Sequence, residues 1–92
     1  DAIEHIVVKD FTKCLVIRMR SVPALDTTAM NALKNLAKVC QAKGIAMVFS
    51  HVNEQPMHVM EKAGFVEIIG EENFRPNISA ALERAEEIIT VS

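Results

Sequence analysis

Apolar residues recur along this chain in two rhythms, and the switches between them mark out its elements. From Cys14 to Arg20 nearly every position is apolar until Arg18, the pattern of a central parallel strand covered on both faces. Pro23 has no amide to give to a sheet ladder and biases Val22 toward extended geometry, so this strand ends near Ser21 or Val22. The rhythm then becomes helical. Between Thr27 and Lys43, one face collects Met30, Leu33, Leu36, Ala37 and Cys40, while Lys34, Asn35, Lys38 and Gln41 lie elsewhere. Asp26 stands where an N-cap is needed, its carboxylate able to accept from the amide of Thr28 or Ala29. Lys43 suits the negative end of the helix dipole, and Gly44 supplies the left-handed residue that closes it.

Ile45 to Phe49 reads as a second buried parallel strand. The polar loop Ser50-His51-Val52-Asn53-Glu54-Gln55 follows, with Pro56 in the first turn of a helix that runs to about Ala63 on a stripe of Met57, Met60 and Ala63, leaving His58 and Glu61 outward. Gly64 ends it, Phe65 to Ile69 is predicted as a third strand, and Gly70 turns the chain. Pro76 and Asn77 open a last helix. Ile78, Ala81, Leu82, Ala85, Ile88 and Ile89 are predicted to face inward, with Glu83, Arg84, Glu86 and Glu87 toward water. At the other end, Ile3, Ile6 and Val7 have i, i+3, i+4 spacing that favours a short helix over Ala2 to Val8, although Ile6-Val7-Val8 also reads as a strand. Strands alternating with helices imply an α/β domain with a mostly parallel sheet.

The stretch Val22-Pro-Ala-Leu-Asp-Thr-Thr-Ala-Met30 resembles the signature loop of STAS domains, named for sulfate transporters and anti-sigma-factor antagonists. Ser50-His-Val-Asn-Glu-Gln-Pro56, Lys62-Ala-Gly-Phe65 and Ile69-Gly-Glu-Glu-Asn73 follow in matching order. Together they resemble the cytoplasmic C-terminal STAS domain of bacterial SulP anion transporters over most of residues 14 to 90. Ala29 departs from the family, which usually has glycine there. The resemblance implies helices packed mainly on one face of the sheet. It also implies that this chain starts after the N-terminal β-hairpin common in the family, as a piece of a larger membrane transporter on the cytoplasmic side of the inner membrane.

Length and composition narrow the function. The 92 residues suit one domain. A formal charge of −2 and four aromatic residues, all Phe, provide neither the basic footprint nor the stacking surface of a nucleic-acid binder. There is no polybasic membrane anchor, and no apolar run approaches the ~20 residues of a membrane span. This piece is therefore expected not to insert into the bilayer itself. Cys14 and Cys40 lack CxxC spacing and read as free thiols in a reducing compartment.

Candidate chemistry is sparse. His5, His51 and His58 have no HxxxH or CxxC neighbours to make a metal set, Cys40 lies on the inward face of a helix, and with three glycines there is no phosphate-cradling loop. No catalytic residues, metal or cofactor are expected. Arg18 and Arg20 share a face near the exposed end of the first strand, with anion binding as the alternative to simple solvation. The functional weight falls on the first turn of the long helix. Asp26, Thr27, Thr28 and Asn31, joined by His51 and Asn53 from the neighbouring loop, form a candidate docking surface, with Thr28 as a candidate phospho-switch. The purely structural alternative is that Asp26 only caps a helix. By resemblance, the partner is the transporter membrane domain, a cytosolic regulatory protein or a second STAS protomer. A different class remains as the alternative: a stand-alone anti-sigma-factor antagonist switched by phosphorylation at Thr28.

Overall fold

In a computed structural model, residues 13–91 are described. The predicted helix over Ala2 to Val8 lies outside them. Strand β1 (Cys14–Arg18) leads through the Val22–Asp26 loop into α1 (Thr27–Lys43), and β2 (Ala46–Ser50) follows. Two helices come next, α2 (Glu54–Lys62) and the short α3 (Phe65–Ile69). A 3-10 turn (Glu71–Asn73), strand β3 (Phe74–Arg75) and α4 (Ile78–Val91) complete the described chain. The sheet order is β1-β2-β3, and both pairings are parallel. Cys14 to Arg18 run beside Ala46 to Ser50 in register, and Phe49 and Ser50 lie beside Phe74 and Arg75.

Side chains alternate across a sheet, so each face has its own helices. Ile17, Met47 and Phe49 point to one side and join Met30, Leu33, Ala37 and Cys40 of α1, Met60 of α2 and Phe65 of α3 in one buried cluster. Phe49 is its hinge, with Phe65 edge-on at 5.7 Å and Phe74 stacked at 5.1 Å. Val48 and Ser50 point the other way and are equally buried, and α4 packs across all three strands, burying Ala81 and Ala85. Helices thus cover mainly one face, with α4 alone on the second.

Three expectations need correction. Phe65 to Ile69 is helical, and the third strand is Phe74–Arg75. A strand here would have put Glu67 on the same face as Phe65 and Ile69; the helix buries Phe65, half-buries Val66 and Ile69, and releases Glu67 to water. Leu82 and Ile89 are 55% and 50% exposed rather than inward. The alanines let α4 approach the sheet closely along Ile78, Ala81, Ala85 and Ile88, and Leu82 and Ile89 fall on its flank. Arg84, placed in water by its charge, is half-buried: its Nε–H donates to Asn73 Oδ1 at 2.8 Å, and Asn73 Nδ2 donates to the carbonyl of Ile69 at 2.8 Å. That pair pins the helix to the turn before β3.

Candidate functional site

The C-terminal edge of a parallel sheet gathers loops and helix starts, the usual place for recognition in open α/β folds. Here β1 leaves the sheet with the Met19 amide on the Ser50 carbonyl at 2.9 Å, and Val22 turns back onto the Met19 carbonyl at 3.0 Å. Leu25 is 3% exposed and anchors the loop in the core, whereas Pro23 and Ala24 are exposed. Two side chains, Asn53 just before α2 and Gln55 in its first turn, hold this loop in place. Asn53 Nδ2 donates to the carbonyls of Arg20 (3.1 Å) and Val22 (2.9 Å). Gln55 pairs with the backbone of Leu25, its Oε1 accepting from the amide at 2.7 Å and its Nε2 donating to the carbonyl at 3.4 Å.

On that platform Asp26 adopts an extended backbone, and its Oδ1 accepts from the Ala29 amide at 2.8 Å, the N-cap expected of it. Thr27, Thr28 and Asn31 follow on the first turns of α1, all exposed. The structure therefore brings four of the six sequence-predicted residues together on one corner. Asn53 meets them through the loop and contributes position, since both its amide protons are engaged with carbonyls. His51 serves a different place. Its backbone is left-handed (φ 52°), its amide donates to the Arg75 carbonyl at 2.9 Å, and it borders a small pocket with Arg18, Arg20, Ser50, Asn77 and Ile78. The strap role of Gln55 and the link between Asn73 and Arg84 were not read from sequence; an amide side chain flanking a turn is a weak signal until the facing carbonyl is known.

Burial raises the thiol pKa of Cys40, and that of Cys14 as well, where the nearby Arg84 charge partly offsets the effect. Both cysteines are free. Among the described residues, no cluster of three or more His, Cys, Asp or Glu side chains could hold a metal, and no helix is long and apolar enough to cross a membrane.

The sequence matches the family model described as STAS domain over residues 1–81. The chain belongs to the STAS domain family. Similar solved structures place this STAS domain more closely. It superposes on a sulfate transporter family protein from Wolinella succinogenes with a TM-score of 0.84 and 31% identity, covering 91% of this chain and 69% of that one. It also superposes on the STAS domain of a SulP transporter from Vibrio cholerae with a TM-score of 0.81 and 26% identity, covering 99% and 70%. Over 69 residues, 75% of its length, the STAS domain is 30% identical to "Probable sulfate transporter 4.2" of Arabidopsis thaliana and spans 10% of that protein.

Proposed function

We propose that this STAS domain is the cytoplasmic regulatory and protein-interaction module of a SulP-type transporter for sulfate or a related inorganic anion. It is a single domain of a larger membrane protein, neither catalytic nor conducting, and it acts by docking to the transporter membrane domain or to a cytosolic regulator. The observation that carries this reading is the exposed corner of Asp26, Thr27, Thr28 and Asn31 on a loop braced from beneath by Asn53 and Gln55. A braced, exposed turn has little backbone entropy left to lose on binding. The relatives named as sulfate transporters supply the context.

The test compares Thr28→Lys and Thr28→Glu in the full-length protein with the same changes in the isolated chain. Thr28 is exposed and makes no core contact, so both chains should melt nearly as the parent does, the acidic one favoured by about 0.3–1 kcal/mol through the helix dipole. Anion uptake or partner co-purification should fall for both. Unchanged uptake and partner binding in both would reduce the corner to a helix cap. Loss with Glu alone would favour the second reading, an antagonist-type switch by phosphorylation of the exposed Thr28 hydroxyl.

A further inference from the structure

The face of the sheet under α4 ends in a small pocket that neither the braced corner nor the core explains. Arg18 and Ser50 are register partners at the last positions of β1 and β2, so their side chains leave the sheet on the same side. One step further along the chain from β3, Asn77 and Ile78 bring the start of α4 to the same spot. With Arg20 and His51 these residues line a cavity of about 100 Å³, and no carboxylate is among them. Neither arginine has an ion-pair partner among the described residues, where Arg84 with Glu87 is such a pair.

Ser50 provides an independent observation. It is 3% exposed, yet its hydroxyl bonds no described residue. Among the described residues, no side-chain oxygen or nitrogen sealed from solvent lacks a partner, so this hydroxyl opens onto the cavity it lines. Asn77 turns its own Oδ1 back to the Ala80 amide at 2.8 Å, which caps α4 and keeps that acceptor out of the pocket. What remains is two guanidinium groups, an unclaimed hydroxyl and the positive end of a 14-residue helix.

We propose that this pocket binds a small tetrahedral oxyanion of the sulfate or phosphate kind. Arg18 and Arg20 supply charge-assisted donors whose forked geometry matches paired oxygens, and Ser50 Oγ–H with the first-turn amides of α4 completes the shell. The volume selects for size, being well below the ~300 Å³ at which pockets begin to hold drug-sized molecules. The bound anion would tie the ends of β1 and β2 to the start of α4 and so stabilise the fold by mass action.

Titration of the 92-residue chain with sodium sulfate and with inorganic phosphate, at ionic strength held constant by sodium chloride, tests this by calorimetry and by the melting temperature. Saturable one-to-one binding with a rise in melting temperature is expected. Arg18→Gln with Arg20→Gln should weaken it by about tenfold or more, the range of a charge-assisted hydrogen bond. Ser50→Ala, a smaller change, should weaken it by about threefold or more while keeping both arginines, so the test survives should the double variant fail to fold. Three results would overturn the proposal: affinity unchanged in both variants, chloride competing as well as sulfate, or binding of ATP with none of sulfate or phosphate. None of them bears on the Thr28 corner, which the uptake experiment judges separately.

Discussion

Asn53 reaches 33 and 31 positions back along the chain to hold the carbonyls of Arg20 and Val22, bracing the loop together with the Gln55 pair on Leu25. Replacing it with alanine leaves two acceptors without their partner, at a cost of about 1–2 kcal/mol in a denaturant melt. Asn53→Asp should cost more than Asn53→Ala, since a carboxylate would face two carbonyl oxygens; the opposite ranking would mean that the strap contributes little. Asp26→Ala removes a cap and should cost about 0.5–2 kcal/mol. The cysteines respond to pH. Their folded pKa values are raised by burial, so the unfolded chain gives up its thiol protons first. The stability they confer is full below about pH 8.5 and is lost as pH climbs through the folded values. Melts from pH 7 to 10 should show that decline, and Cys14→Ser with Cys40→Ala should flatten it.

At the scale of elements, the long helix carries the fold's largest local stake. Leu33 is fully buried at the centre of α1, and Leu33→Ala should cost about 2–5 kcal/mol, more than Asp26→Ala, when the two melts are compared. Gly70 marks the exit from α3 with φ 102°, a backbone that side chains rarely adopt, so Gly70→Ala should cost about 1–3 kcal/mol. The sequence made β1, α1 with both its caps, β2, α2 and α4 readable because each has a long periodic stretch or a stop residue. Phe65 to Ile69 failed that reading since five apolar-rich residues satisfy either period; Glu67 at its centre was the available clue. The corner residues Asp26, Thr27 and Thr28 were visible through capping chemistry and the family motif. The Arg18, Ser50, His51 and Asn77 pocket was not, since it exists only once parallel register and α4 bring three segments together.

At the scale of the whole molecule, two parallel crossovers among the described residues make the strand pairings β1-β2 and β2-β3 non-local. β1 cannot pair with β2 until α1 has been spanned, and β3 cannot join until α2 and α3 are in place. Loop closure must precede the contacts that repay it, so refolding of this chain belongs with mixed α/β domains and should be slower than in helical bundles of its size. A stopped-flow chevron measures this directly.

The position of α4 adds a consequence for synthesis. Val48, Ser50 and their neighbours are covered by α4, which is synthesised after all three strands of the described sheet. A nascent chain whose three described strands had emerged while α4 was still inside the ribosome would carry a sheet with one side bare, a sticky intermediate prone to clump. The lifetime of that species is set by how soon α4 emerges as much as by the protein's own stability.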